Sequence, residues 1–354
     1  MMVKERFYVN KTGFEMFDVF RAYGLAFAIT GIQSSKVDAR ISDRGYLYCI
    51  DVDGAPSNKP DPELFVDSDD WIRVFGRGKW RKDAKKKPPK PDCEEIFNTK
   101  YQKILDLHRD MGYVPHIGYK VKEGRTLYQT FDVSASKGFR EAKVGSTYHD
   151  GTQLYVDKYS WSIACIGRVF FGVRIARGGR KKGYALTVAP NPDEVLLHEH
   201  RQIRKDLDLK RLCGLSPNAT LVHYAVKLSL FLAKRRPETK YESIIFNVLQ
   251  RTGQQPKPSG GGRYSLGLLE KFLNPSIISV GIRVLEKFDE EFELSTIKGI
   301  RQDIALALAD FLLRPNLENF RTFASLYIRG QIKRKFNPWK KDQLEEILNH
   351  VEIA

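Results

Sequence analysis

Between Thr12 and Ile29 the chain carries Phe14, Phe17, Phe20, Tyr23, Leu25, Phe27 and Ala28 at helical spacing. An apolar stripe that wide predicts a helix buried over most of its circumference. Thr12 and Glu15 stand in the T-x-x-E relation of a capping box at its start. Gly24 falls inside the pattern, where a glycine costs about 1 kcal/mol against alanine. The sequence therefore predicts that another element approaches the backbone closely at that point.

A second fixed point is the stretch Arg168–Pro190, RVFFGVRIARGGRKKGYALTVAP. Two β-rich runs, Val169–Ala176 and Tyr184–Ala189, flank the tip Arg177, Gly178, Gly179, Arg180, Lys181, Lys182 and Gly183. That arrangement predicts a hairpin with its charge at the tip. Glycine permits close backbone approach, and Arg and Lys donate to phosphate oxygens or base edges. Arg174 and the tip residues Arg177 to Lys182 are thus candidates for a nucleic-acid groove. The plain alternative is a solvated turn.

Charge placement favours the first reading. Lys plus Arg number 59 against 43 Asp plus Glu, a formal charge of +16. Residues 265–354 hold 13 of each sign, so residues 1–264 carry all the excess, as a polyanionic partner requires. No apolar run is long enough to cross a membrane, and the polar start MMVKERFYVN is unlike a signal peptide. A soluble, cytoplasmic protein is expected. Cys49, Cys93, Cys165 and Cys213 show no C-x-x-C spacing, so they read as buried thiols rather than zinc ligands or a disulfide framework.

Taken in order, Ala39–Ser42 and Tyr46–Val52 read as a hairpin around Asp43, Arg44 and Gly45. The Asp67, Asp69, Asp70 cluster lacks the glycine and terminal glutamate of a calcium loop. From Trp71 to Lys90, aromatics are interleaved with cations, and Arg77, Lys79, Trp80, Arg81 and Lys82 fit base stacking plus phosphate contact. Asp92–Met111 reads as helix. Leu127–Phe139 and Gln153–Ile166 read as β-rich. After Pro190 the sequence predicts helices only, among them Ala219–Ala233 and Tyr241–Gln250. Arg251–Tyr264, RTGQQPKPSGGGRY, reads as a linker. Its Gln254, Gln255, Lys257 and Arg263 are further nucleic-acid candidates, around a glycine run able to cradle phosphate. Apolar periods broken at Pro275 and Pro315 predict a four-to-five-helix bundle over 265–354. Its cations, including Arg329, Lys333 and Arg334, gather late in the sequence and could make a basic face, the alternative being a satisfied surface.

The expected fold is therefore α+β: a basic mixed body with β-hairpins over 1–264, followed by an antiparallel helical bundle over 265–354. No metalloprotease, hydrolase, kinase or P-loop signature is present. His149 with Asp150, and His198 with His200, are the histidines to inspect for a metal. The second pair could share one only on a strand. No catalytic residue, metal or cofactor is assigned. A nuclease with scattered carboxylates and an RNA-associated structural protein are the alternatives to a DNA-binding subunit.

The segment Phe17–Ala28, FDVFRAYGLAFA, resembles the apolar helix near the start of some large subunits of CRISPR type I surveillance complexes (Cascade). The proline-broken helical end resembles the small-subunit-like bundle that closes them. The resemblance implies a non-catalytic subunit at the end of a guide-RNA filament. Such a subunit recognises a protospacer-adjacent motif in duplex DNA, largely from the minor groove, starts unwinding and stabilises the R-loop. Implied partners are guide RNA, target DNA, the backbone and guide-end subunits, and a recruited helicase-nuclease or transposition adaptor, with no membrane.

Overall fold

The wide aromatic stripe does become a buried helix. In the computed structural model, which describes residues 4–31, 37–65, 71, 89–128, 130–132, 143–144, 147–148, 154–178, 183–251, 256–273, 278–296, 301–333, 339 and 341–349, strand β1 (Lys4–Asn10) leads into helix α1 (Glu15–Thr30). Every residue of α1 from Met16 onward is buried. The expected capping box does not form. Phe14 is the N-cap residue and makes no side-chain cap. Asp18, one turn into the helix, instead accepts the Thr12 and Gly13 N–H groups at 2.7 and 3.2 Å and the Thr12 hydroxyl at 2.8 Å. Its carboxylate also meets the buried Arg21 guanidinium at 3.1 Å, which donates to the Asn10 carbonyl at 2.7 Å. Burial pushes the Asp18 carboxyl up, against the pull of Arg21 and Thr12.

Next come β2 (Asp38–Asp43) and β3 (Leu47–Asp53), the expected hairpin, then α2 (Lys90–Arg109). Short strands β4 (Ile117–Gly118), β5 (Arg125–Thr126) and β8 (Tyr155–Val156) form a small antiparallel sheet, and β6 (Lys143–Val144) pairs with β7 (Thr147–Tyr148). Helix α3 (Lys158–Phe171) follows and corrects the β-rich reading of 153–166. Asp157 caps it, accepting the Tyr159 and Ser160 N–H groups at 3.0 and 2.9 Å. The apolar residues behind that cap are buried between other elements, so tertiary packing overrides local β-propensity.

Helices α1 and α3 meet backbone to backbone. A Cβ on Gly24 would lie closer than 3.0 Å to the Ile163 carbonyl, and one on Gly167 closer than 3.0 Å to the Phe20 carbonyl. The close approach expected at Gly24 is thus present, and Gly167 is its counterpart.

Strand β9 (Val173–Gly178) pairs with β10 (Gly183–Leu196), which continues past Pro190 as strand and then enters helix α4 (Leu197–Asp206). The all-helical reading after Pro190 is further corrected by β11 (Lys240–Arg251) and β12 (Pro256–Ser265). Tyr241, Ile244, Ile245, Val248 and Leu249 match a helical period, yet they are buried on a strand covered on both faces, where strict alternation is lost. The main sheet runs β1-β3-β2-β10-β11-β12, with β9 on β10. Tyr23 donates to the Pro190 carbonyl at 3.0 Å and Tyr48 to the Asn191 side chain at 2.7 Å. The two hydroxyls thus fasten the middle of β10 to α1 and β3.

The chain divides into two compact units: 1–202 with 238–241 and 245–263, and 203–237 with 242–244 and 264–354. Helix α5 (Pro217–Arg235), on the body side of the division at 264, belongs to the second unit. There it joins α6 (Gly267–Lys271), α7 (Ile278–Leu294), α8 (Gln302–Leu313), α9 (Leu317–Lys333) and α10 (Lys341–Leu348). Phe288, Phe323, Tyr327 and Trp339 form an aromatic cluster with centroids 5.4 to 6.1 Å apart. The architecture is α+β, and all four cysteines are free and buried. Among the described residues no helix is long and apolar enough to cross a membrane.

Two stability predictions follow from this packing. Gly24→Ala and Gly167→Ala each lower the urea-unfolding free energy by about 3 kcal/mol, opposite in sign to the gain of about 1 kcal/mol that alanine brings to an open helix; a stabilised variant would contradict the backbone contact. His108 is buried with its ring nitrogen 2.8 Å from the Ile104 carbonyl. Burial, aided by Arg21, pulls it from the ordinary 6.5 down to about 3. The unfolded chain therefore binds a proton that the folded chain refuses. The His108 contribution is complete above pH 6.5 and falls by about 1.4 kcal/mol per pH unit below it, until about pH 3. The stability difference between wild type and His108→Gln follows that slope in denaturant titrations; a pH-independent difference would refute it.

Candidate nucleic-acid interface

The β9–β10 hairpin is built from six register pairs, from Val173↔Val188 to Gly178↔Gly183. The expected first strand is shorter than read, because Val169–Phe171 ends α3. Val173 and Ile175 are buried, while Arg174 and Arg177 are half-exposed and Ala176 and Gly178 exposed. Both glycines of the last pair are needed. Gly178 has φ +86°, and a Cβ on Gly183 would strike the Arg177 carbonyl. Arg177 and Gly178 thus stand where the chain enters the tip, whose Gly179, Arg180, Lys181 and Lys182 lie outside the described residues.

Of the stretch read as a linker, Arg251 ends β11 and Pro256–Tyr264 belong to β12, an edge strand of the main sheet. Lys257 is exposed and makes no ion pair among the described residues. Arg263 is also exposed, but it pairs with Glu15 at 3.1 Å. A pair with side chains 36% and 44% exposed is worth little stability, yet it offsets the Arg263 charge within the chain. Gln254 and Gln255 lie outside the described residues, as do Arg77, Lys79, Trp80, Arg81, Lys82, Arg334 and the His149–Asp150 pair. Of the candidates described, the first unit gathers Arg174, Arg177, Gly178, Lys257 and Arg263 on strands of one sheet.

Arg329 belongs to the second unit, exposed on α9. With Arg321 it lines an open groove of about 760 Å³ that also takes in Thr322 and Ser325. Eight residues of helix separate the two arginines by about 12 Å. Lys333 ends the helix, and its side chain lies outside the described residues.

The histidines inspected for metal binding diverge. His198 and His200 sit in the first turn of α4 rather than on a strand, so their rings point apart. His198 is exposed, with Nδ1 2.6 Å from Asp38. His200 is buried, stacked on Tyr23 at 4.4 Å and bonded to the Tyr241 hydroxyl at 2.5 Å. Among the described residues no group of three or more His, Cys, Asp or Glu side chains is placed to hold a metal ion.

One constellation escaped the sequence reading. In the second unit, the Cys213 N–H donates to His223 Nδ1 at 2.8 Å, so the ring proton is on Nε2, 2.7 Å from Asp289. Lys227 bridges Asp289 and Glu293 at 2.9 and 2.8 Å. An Asp–His pair invites comparison with a catalytic dyad, but a general base needs a free ring nitrogen. Here both are committed, one of them to the backbone. Burial holds the His223 imidazole below its ordinary value; for Lys227 burial acts downward too, but the carboxylates of Glu293 and Asp289 outweigh it and hold the ammonium above its ordinary value. The cluster fastens the loop at Cys213 to α5 and α7. Nothing in the spacing of Cys213, His223, Lys227, Asp289 and Glu293 announces this, because α5 and α7 are brought together only by the fold. Asp289→Asn strips a buried ammonium of one partner and lowers the thermal stability of the second unit by about 3 kcal/mol; an unchanged melting curve would contradict the structural role.

No protein-family model matches the sequence. An uncharacterized protein of Archaeoglobus fulgidus is 30% identical over 374 aligned residues that span 100% of both chains. Identity at that level along the full length of both chains reflects common descent and a shared fold, and the chain belongs to the same family as this archaeal protein.

Proposed function

We propose that this protein is the non-catalytic DNA-binding large subunit of an RNA-guided CRISPR type I (Cascade) complex. The observation that carries the reading is the basic hairpin: its tip holds four of the cations in the part of the chain with all of the +16 excess. Gly178 and Gly183 form the last register pair of the ladder that leads into that tip. In this reading Arg174, Arg177 and the tip cations contact the phosphates and groove of target duplex DNA at the protospacer-adjacent motif. Lys257 and the neighbouring Gln254 and Gln255 act beside them during unwinding, and the α9 cations Arg329, Lys333 and Arg334 contribute to R-loop stabilisation. Guide RNA, target DNA, the other Cascade subunits and a recruited helicase-nuclease or transposition adaptor are the partners, in the cytoplasm. Sequence specificity in such an assembly comes chiefly from guide pairing, which leaves the protein to read a short motif and hold backbones.

Replacing Arg177, Arg180, Lys181 and Lys182 together with alanine tests the assignment. Every duplex phosphate that the variant no longer neutralises flattens the plot of log K against log salt by about 0.9. The expected outcome is weaker duplex binding with a slope shallower by two or more such steps. An unchanged slope would remove the hairpin from the interface.

A further inference from the structure

Six large apolar side chains are exposed among the described residues, and three of them belong to segments tied to the end of β1. Tyr46 is 65% exposed, Met111 52% and Val114 62%. Short hydrogen bonds to the backbone tie these segments to that strand end. The Lys11 N–H donates to the Tyr46 carbonyl at 2.9 Å, and the Asn10 side-chain amide donates to the carbonyls of Met111 and Tyr113 at 2.7 and 2.8 Å.

Tyr46 stands at the tip of the β2–β3 hairpin, and that tip is set rigidly. Gly45 has φ +82°, and its N–H donates to Asp43 Oδ1 at 2.7 Å. The same carboxylate holds the Lys11 ammonium at 2.6 Å. Arg44, on the other side of Gly45, is exposed and makes no side-chain hydrogen bond or ion pair among the described residues. A tyrosine kept in water at a turn with so few free torsions contributes nothing to the core, so its ring is available to a partner at little entropic cost.

Charge identifies the partner. The Lys11 ammonium is neutralised by Asp43, whereas Arg44 is unopposed, in the part of the chain that holds the whole +16 excess. An exposed aromatic ring two residues from an exposed guanidinium on one turn is the chemistry of a platform for an unpaired base whose phosphate meets the arginine. We propose that Tyr46 stacks on an unpaired base of a single-stranded nucleic acid, with Arg44 contacting the adjoining phosphate and Met111 and Val114 lining the edge of the base. The proposal rests on the nucleic-acid reading above but uses a different part of the first unit from the basic hairpin.

The test uses the full chain and a short single-stranded oligodeoxynucleotide carrying 2-aminopurine, whose fluorescence falls on stacking. Wild type is expected to bind with quenching. Tyr46→Ala is expected to lose roughly five- to 150-fold in affinity, along with the quenching, while the salt slope stays the same, because stacking releases no counterion. Tyr46→Phe keeps both affinity and quenching. Arg44→Ala instead flattens the slope by about 0.7, the single-strand value for one phosphate. Thermal melting of each variant checks that the exposed turn has left the fold intact. Tyr46→Ala binding the oligonucleotide as tightly as wild type, with equal quenching, would overturn the proposal, as would wild type binding duplex alone; in both cases the nucleic-acid reading stands. Wild type binding neither duplex nor single strand would overturn both.

Discussion

The contact between Gly24 and Gly167 is the constraint on which the first unit depends. Two helices, each buried almost all round, can lie side by side under one sheet only if their axes approach more closely than side chains allow. The glycines remove the obstruction at the crossing, so that Phe20 and Ile163 carbonyls face bare backbone. That approach fixes the rows of aromatic side chains on either side: Tyr23 and Phe27 both reach Phe171, at 5.2 Å. The far end of α3 is thereby positioned, and β9 begins two residues later. The start of β9 is thus positioned by the helix crossing.

Polar groups inside this core have structural work. Arg21 and Asp18 tie the start of α1 to the end of β1, and the same end of β1 holds the loops that carry Tyr46 and Met111. In the second unit the Lys227, Asp289, Glu293 and His223 cluster locks α5 to α7. The Asp18–Arg21 pair is balanced, and in the second network two carboxylates face one ammonium, so neither leaves a cation to meet a polyanion, unlike the exposed cations on strands, turns and the α9 surface.

Legibility in the sequence followed physical scale. The α1 stripe, the β2–β3 hairpin, α2, α5 and the late helices were readable because one period dominates each segment over two turns or more. The glycine at position 24 was readable as a close contact because its helix cost had to be offset by something. What failed were segments whose environment differs on two sides. α3 is built from β-formers yet is helical, and β11 carries a helical period yet is a strand covered on both faces. β12 looks like a linker because its glycines and prolines suit an edge strand as well as a loop. The Arg263–Glu15 pair joins residues 248 positions apart, and the tying of the Tyr46 and Met111 segments to the end of β1 depends on Lys11 and Asn10. Neither leaves a trace in local spacing. Of the candidate site, the basic hairpin was visible because its charge and glycines are contiguous.

The central claim is that strands of the first unit meet nucleic acid. Photo-crosslinking of target duplex DNA to the full protein, followed by mass spectrometric mapping of the linked peptides, tests it most directly. The account predicts crosslinks within residues 173–188, with a second group over 252–263. Crosslinks confined to other segments, or none at conditions where DNA is bound, would contradict it.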